Sequence, residues 1–329
     1  MGMTSLLEIR GLHVGFKIFD GLLKVLAGVE LAIGEGERVG LVGETGCGKT
    51  TTVKSVLRVL PIPPARLDGG EILYRAQDIL KMKPREVRHL RRTELTAIFQ
   101  DPLQALNPVF TVGTQLRDIV LDSLAAAGQR LTRKEITARC VQALAETGMP
   151  DPERIMSNYP IQLSGGMRQR VCIAEALIKS AKLLLADEPT TNLDVTIQDQ
   201  ILRKLDELVE EKGMSVLMIT HSLGVVMDLT ERVYIMYAGT IVEEGRTEEL
   251  FARPLHPYTQ GLMKSVPKLT GEGISKGIAG RIPNYLEPPS GCRFHPRCEH
   301  AMPICEEERP PLFSTGVNRR VACFLYQRS

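Results

Sequence analysis

Residues 43–50 read GETGCGKT and have the spacing of a phosphate-binding loop, G-x-x-x-x-G-K-[ST]. In such a loop the backbone wraps successive N–H groups around phosphate oxygens, and the following helix adds its positive N-terminal end. We expect Lys49 to reach the β- and γ-phosphates of a nucleotide and the Thr50 hydroxyl to bind Mg²⁺. The predicted nucleotide contacts are Gly43, Glu44, Thr45, Gly46, Cys47, Gly48, Lys49, Thr50 and Thr51.

Two adjacent carboxylates end a strongly apolar run, KLLLADEP, at residues 182–189. A strand that ends at Asp187 would place this side chain beside the phosphate loop, where it can hold Mg²⁺ directly or through water. Glu188 comes next and therefore projects to another side, where it can polarise an attacking water. Together with the loop, these residues indicate nucleotide hydrolysis.

Four of the seven cysteines, Cys292, Cys298, Cys305 and Cys323, lie in the last 40 residues in the pattern C-x5-C-x6-C-x17-C. In a reducing cytoplasm such a cluster indicates a metal site more readily than disulfides. Four thiolates can bind tetrahedral Zn²⁺ or a [4Fe–4S] cluster. Close C-x2–4-C pairs are absent from this pattern, which favours the bulkier iron–sulfur cluster over zinc; free or structural thiols are the third reading. His295 and His300 could replace a thiolate ligand.

The elements around these residues predict an α/β fold. ERVGLVG predicts a strand before the phosphate loop and TTVKSVLRVL a helix after it, while KLLLADE and SVLMITHS predict buried strands of a mostly parallel sheet. LEIRGLHVGF changes phase at Gly11, which predicts a strand with a bulge. RVYIMYAGTIVEEG predicts a hairpin at the sheet margin. The pattern is helical from about 101 to 165, and periodicity fades beyond about 252, where proline and glycine become frequent.

Bulk properties narrow the class of protein. No apolar run in the 329 residues approaches the roughly 18 to 20 that span a bilayer, and the first residues lack the pattern of a secretory signal. We expect a cytoplasmic chain whose membrane role comes through a partner. A net charge of +2 gives no reason to expect nucleic-acid binding. The basic stretch KMKPREVRHLRR is expected to form a solvated helix with Val87 and Leu90 turned inward.

A second glycine-rich stretch carries a resemblance to a known family. LSGGM at residues 163–167, followed by RQRVCIAEAL, resembles the identifying sequence of ABC transporter ATPases, with Met167 where glutamine is commonest. A serine and two glycines that open a helix also form an anion-binding surface. The resemblance implies that Leu163, Ser164, Gly165, Gly166 and Met167 close on ATP held by the opposite subunit of a dimer.

The resemblance assigns further roles residue by residue. Gln100 matches the glutamine that senses Mg²⁺ and the attacking water, and His221 matches the histidine that contacts the γ-phosphate and Glu188. Asp194, in TNLD, matches the loop that links the two ATP sites, and Phe16 matches the aromatic residue that stacks on adenine, with Phe19 as a neighbouring candidate. The implied catalytic residues are Glu188, His221, Gln100 and Lys49, and the implied Mg²⁺ ligands are Thr50, Gln100 and Asp187.

The resemblance also implies a fold and domain order. It predicts a P-loop ABC cassette at residues 1–252, with a RecA-like, mostly parallel sheet, an antiparallel β subdomain and a helical subdomain at about 101–165. Residues 253–329 are predicted to form an irregular, cysteine-rich extension that carries the iron–sulfur or zinc site.

Three stretches point to one group within the family. FQDPLQALNPVFTVGTQL, LSGGMRQRV and HPYTQGLMKSVP resemble ATPases that import dipeptides and oligopeptides. Nickel and other small solutes are the alternative cargo, and a non-transport ABC ATPase is a more distant one. The implied partners are two membrane-spanning permease subunits, a second ATPase that is either homologous or a second copy, and indirectly an extracytoplasmic solute-binding protein. The implied location is peripheral, on the cytoplasmic face of the plasma membrane, without nucleic acid.

Overall fold

The structure is a computed structural model that describes residues 5–190, 193, 195–265 and 277–327. The strands are β1 (Ser5–Ile18), β2 (Gly21–Gly34), β3 (Arg38–Val42), β4 (Ala65–Tyr74), β5 (Gln77–Asp78), β6 (Leu95–Ile98), β7 (Leu183–Asp187), β8 (Ser215–Thr220), β9 (Arg232–Tyr237), β10 (Thr240–Arg246), β11 (Phe313–Gly316) and β12 (Arg319–Val321). The α-helices are α1 (Lys49–Val56), α2 (Pro84–Thr93), α3 (Pro102–Ala105), α4 (Val112–Ala126), α5 (Arg133–Glu146), α6 (Pro152–Ile155), α7 (Gly165–Leu177), α8 (Val195–Glu211), α9 (Leu223–Leu229), α10 (Thr247–Ala252), α11 (Pro257–Lys264) and α12 (Pro303–Glu307).

The chain divides into two compact units. The first contains the described residues of 1–34, 38–81 and 219–329, and the second those of 35–37 and 82–218. The described part of the C-terminal segment, residues 253–329, therefore belongs to the same compact unit as strands β1 to β5. Among the described residues, no helix combines the length and the apolar character that crossing a membrane demands.

An antiparallel sheet in the first unit has the order β2-β1-β4-β5. Its long strands β1 and β2 pair along their whole length, with a change of register between Ile9 and Leu12. Gly11 lies at this break with a φ of 55°, a left-handed value that glycine tolerates best. The bulge that the sequence predicts at Gly11 is confirmed.

A second sheet in the first unit joins β3 to the C-terminal segment in the order β3-β9-β10-β12-β11. The predicted hairpin is confirmed as β9 and β10, but its predicted place at the sheet margin is wrong, because β12 pairs with β10 beyond it. Arg320 supports this pairing with a two-pronged ion pair to Glu244, at 2.6 and 3.1 Å. The prediction of an irregular C-terminal segment is likewise wrong for α11, α12, β11 and β12.

The second unit packs helices around one apolar core beside strands in the order β8-β7-β6. The helical pattern predicted for 101–165 is confirmed, since α3, α4, α5 and α6 all lie in it. Leu116, Leu144 and Val171 are completely buried in the core between α4, α5 and α7. Helix α2 has the predicted inward residues, Val87 and Leu90, which are 4% and 8% exposed.

Candidate nucleotide-binding and catalytic site

The phosphate loop lies where the sequence predicts it, directly after β3, and α1 begins at Lys49. Lys49 is 5% exposed, and its ammonium group donates to the carbonyl oxygens of Gly43 at 2.7 Å and Glu44 at 3.1 Å. The loop thus folds around a buried positive charge. A buried ammonium is stabilised by polar partners, and phosphate oxygens are stronger partners than carbonyls.

Two residues of the loop illustrate its tight packing. A Cβ on Gly43 would lie 2.1 Å from the carbonyl oxygen of Met236 on β9, so only glycine fits there. Cys47 is completely buried, and burial raises the pKa of its thiol despite the opposing effect of Lys49. A thiol with a raised pKa is a poor nucleophile, in line with its assignment as a contact residue only.

Asp187 ends the fully buried strand β7, as predicted, and Glu188 comes directly after it. Asp187 is 1% exposed, and Glu188 follows with a φ of 48°, a left-handed value that is uncommon for a residue with a side chain. The Gln100 side-chain amide donates to a Glu188 carboxylate oxygen at 3.0 Å, across 88 residues of sequence. The structure therefore brings these two predicted catalytic residues together.

The LSGGM segment forms the start of α7. Ser164 is the residue that caps the helix, and its hydroxyl oxygen accepts the backbone N–H of Met167 at 3.3 Å. Ser164 and Gly165 are exposed, whereas Leu163 is 4% exposed and Met167 packs against the core of the helices. The segment therefore presents the positive end of a 13-residue helix to solvent, anchored by two apolar side chains.

The remaining predicted site residues lie in different places. Phe16, on β1, is partly buried opposite Leu23 and Ala65, while Phe19 is fully exposed beyond the end of the strand. His221 is exposed directly after β8. Asp194 lies outside the described residues. The phosphate loop, Phe16 and His221 belong to the first unit, and Gln100, Asp187, Glu188 and the LSGGM segment to the second.

The four C-terminal cysteines line one cavity, which also includes both predicted substitute ligands, His295 and His300. The cavity holds about 20 Å³, which is room for about one water molecule. Burial raises the pKa of Cys323 to about 11 and also raises the pKa of Cys292 and Cys298. Within the described residues no group of three or more His, Cys, Asp or Glu is arranged to hold a metal ion. The thiols converge as predicted, but neither the iron–sulfur cluster nor its zinc alternative is confirmed.

Several contacts to the phosphate loop are not indicated by any pattern in the sequence. Tyr258, Tyr285 and Arg297, all in the C-terminal part of the first unit, form hydrogen bonds to residues 44–46. The HPYT stretch contains Tyr258, but its spacing does not indicate a partner 214 residues away.

Comparison with known proteins decides the family. Residues 26–191 match the model of the family described as "ABC transporter", and residues 242–305 match "Oligopeptide/dipeptide transporter, C-terminal region". The chain is 40% identical to the oligopeptide transport ATP-binding protein OppD of Bacillus subtilis, over 98% of this chain and 89% of that protein. The chain belongs to the ABC transporter ATPases. An ABC ATPase of this family couples ATP hydrolysis to transport.

Two further proteins are also similar to this ABC ATPase over most of its length. It is 43% identical to a probable peptide ABC transporter ATP-binding protein of Sinorhizobium fredii, over 97% of this chain and 94% of that one. It is also similar to a solved structure described as the dimeric post-hydrolysis state of the ATP-binding cassette MJ0796 bound to ADP and Pi. That likeness has a TM-score of 0.66 and 26% identity, and it covers 73% of this chain and 98% of that one.

Glu175, on the helix that the LSGGM segment begins, gives this ABC ATPase a testable pH dependence. Burial raises the pKa of Glu175 from 4.5 to about 8. The folded state thus holds a proton that the unfolded state loses above about pH 4.5, so this residue lowers stability progressively as pH rises from 4.5 to 8. We expect Glu175→Gln to leave the free energy of unfolding near pH 4.5 almost unchanged and to raise it by on the order of 2 kcal/mol at pH 8.5.

Denaturant unfolding at both pH values measures this difference. Glu146→Gln, a change at a surface carboxylate that pairs with Lys212, is the control and should show no comparable gain. A Glu175→Gln gain of equal size at both pH values would contradict the assignment.

Proposed function

We propose that this ABC ATPase powers the import of dipeptides or oligopeptides through a membrane transporter. The observation that carries the proposal is that one chain matches both the ABC transporter family, in its cassette, and the oligopeptide/dipeptide transporter family, in its C-terminal region. Relatives named for oligopeptide and dipeptide transport align over 98% of its length at 40% identity. Nickel or another small solute is the alternative cargo, because ATPase subunits rarely contact the solute.

ATP binding is proposed to use the loop at 43–50. Lys49 exchanges its hydrogen bonds to loop carbonyls for hydrogen bonds to the β- and γ-phosphates, and the Thr50 hydroxyl binds Mg²⁺. Asp187 and Gln100 are proposed as the further Mg²⁺ ligands, as the resemblance implies. Phe16, which is partly buried on β1, stacks on the adenine.

Hydrolysis is proposed to depend on Glu188 and its partners. The Gln100 amide donates to Glu188 and so fixes the carboxylate that orients the attacking water. His221 positions the γ-phosphate, and Lys49 stabilises the charge that spreads over its oxygens in the transition state; Mg²⁺ held by Thr50 would supply further positive charge there.

The exposed start of α7 is proposed to complete the ATP site of a second ATPase subunit. Ser164 and Gly165 are open to solvent while the helix behind them is anchored in the core, which suits a surface that docks on an anion. Asp194 is proposed to relay closure between the two sites. We favour a pair with a homologous ATPase in the cell, with self-association of this chain in isolation.

An exposed apolar surface in the second unit is proposed to dock the permease subunits. Leu103, Val109 and Phe110 are 61%, 74% and 50% exposed on the segment after Gln100. The backbone N–H groups of residues 112 and 113 donate to the carbonyl oxygens of residues 158 and 156. The exposed side chains of Tyr159 and Ile161, which follow directly, therefore lie close to the segment that contains Val109 and Phe110. Apolar groups exposed together mark interaction sites. We place the subunit at the cytoplasmic face of the plasma membrane, below two permeases that an extracytoplasmic binding protein loads.

We also propose that the four C-terminal cysteines hold a [4Fe–4S] cluster when the protein is made with iron and sulfide. Four thiols around one cavity supply the complete ligand set, and each binds a different iron, so they need not converge on a single point. The cavity of about 20 Å³ must widen to accept the cluster. The bound group would cross-link a segment otherwise held by short elements.

Replacing Glu188 by glutamine tests the proposed hydrolytic role. The change keeps the hydrogen-bonding shape and removes the charge that orients water, so kcat should fall by about 100-fold or more while the Kd for Mg-ATP stays unchanged. Phosphate release and equilibrium titration with nucleotide measure the two quantities. Glu146→Gln should retain full turnover, and full turnover by Glu188→Gln would refute the role.

Anaerobic preparation of the protein tests the cluster. We expect broad absorbance near 400 nm and about four irons and four sulfides per chain, both lost in Cys305→Ser. A colourless protein without bound iron after reconstitution would exclude the cluster, and Cys140→Ser, at a scattered cysteine, is the control.

A further inference from the structure

The C-terminal segment contacts the phosphate loop at Glu44, the second residue of that loop. The Arg297 guanidinium donates to both carboxylate oxygens of Glu44, at 2.8 and 3.1 Å. The side chains of Arg297 and Glu44 are 5% and 26% exposed, so the pair is shielded from solvent screening. A two-pronged arginine–carboxylate pair of this kind fixes the orientation of both groups as well as their distance.

Two tyrosine hydroxyls fix the backbone of the same loop. The completely buried Tyr258 accepts the N–H of Glu44 through its hydroxyl oxygen at 2.9 Å. The Tyr285 hydroxyl donates to the carbonyl oxygen of Gly46 at 2.8 Å. The carboxylate of Glu44, its N–H and the Gly46 carbonyl are thus all held from outside the loop, within one compact unit.

The groups that hold the loop are themselves fixed. Arg297 also donates to the carbonyl oxygens of Ala279 at 2.8 Å and Ile278 at 3.1 Å, and it lies 5.7 Å from the centre of the Tyr237 ring. The Tyr237 ring packs against the Tyr258 ring at a tilt of 56°, with ring centres 4.7 Å apart. Because these side chains contact one another, we expect a substitution in the C-terminal segment to alter the contacts that hold the phosphate loop.

We propose that Arg297, assisted by Tyr258 and Tyr285, is a positioning residue that holds residues 44–46 in the shape that receives the triphosphate. A loop backbone that is already held in one arrangement needs less ordering when ATP arrives, and this raises affinity. Arg297 also neutralises the Glu44 carboxylate, which otherwise lies in the loop that must attract an anion. The C-terminal segment then sets ATP affinity, in addition to any role in transport; this inference rests on the proposed function.

Arg297→Gln tests the proposal by equilibrium titration of the full-length chain with Mg-ATP. We expect the Kd and the KM for ATP to rise about tenfold, a typical coupling between linked sites, while kcat at saturating ATP stays within about twofold. Arg297→Lys keeps the charge but loses the two-pronged geometry and should restore part of the affinity. Tyr258→Phe keeps the ring and removes only the hydroxyl, and its Kd should rise about threefold.

Arg320→Gln is the matched control, because Arg320 makes a two-pronged pair with Glu244 in the same C-terminal segment but at the β10–β12 pairing. It should leave the Kd unchanged even where it lowers the Tm. An unchanged Kd in both Arg297→Gln and Tyr258→Phe would overturn the inference, as would equal losses of affinity in Arg320→Gln. A wild-type chain that fails to bind Mg-ATP would instead overturn the proposed function.

Discussion

The hydrogen bonds of the buried Lys49 ammonium group to the phosphate loop are the contacts around which the proposed ATP site is built. The ammonium group lies inside a loop whose carbonyl oxygens it contacts at 2.7 and 3.1 Å, where ordinary charged groups are rarely found without strong partners. A triphosphate supplies such partners, and the loop and the start of α1 add N–H groups beside them. The fold therefore holds a buried positive charge inside the loop, where phosphate oxygens would be stronger partners than the carbonyl oxygens.

The shape of the loop around this charge is set by contacts from distant parts of the first unit. Gly43 packs against the backbone of β9, and the N–H of Gly239, in the β9–β10 turn, donates to the carbonyl of Cys47 at 2.7 Å. Arg297 and the two tyrosines add their contacts from the C-terminal segment. The hairpin and the segment beyond it therefore help to fix the loop that is proposed to bind ATP.

The sequence predicted the local features because each has a local physical cause. The bulge at Gly11, a helix after the phosphate loop and the inward Val87 and Leu90 of α2 follow from glycine, from the loop pattern and from helical spacing. The meeting of Gln100 and Glu188 was accessible only through the resemblance to a family. Two other features join segments that lie far apart in the chain: β12 pairs with β10, and Arg297 pairs with Glu44 across 253 residues. The sequence pattern of each segment does not indicate which other segment it contacts. The cysteine spacing predicted that the thiols converge, yet the size of their cavity depends on packing that spacing does not encode.

In the proposed mechanism, two glycine-rich stretches on different subunits close on one ATP. Steady-state ATP hydrolysis by purified chain carrying Ser164→Arg tests this mechanism most directly, with the Kd for ATP measured on the same sample. We expect an unchanged Kd, because Ser164 contacts the ATP of the other subunit, together with a loss of turnover of about 100-fold or more. Undiminished hydrolysis by that variant would contradict the mechanism.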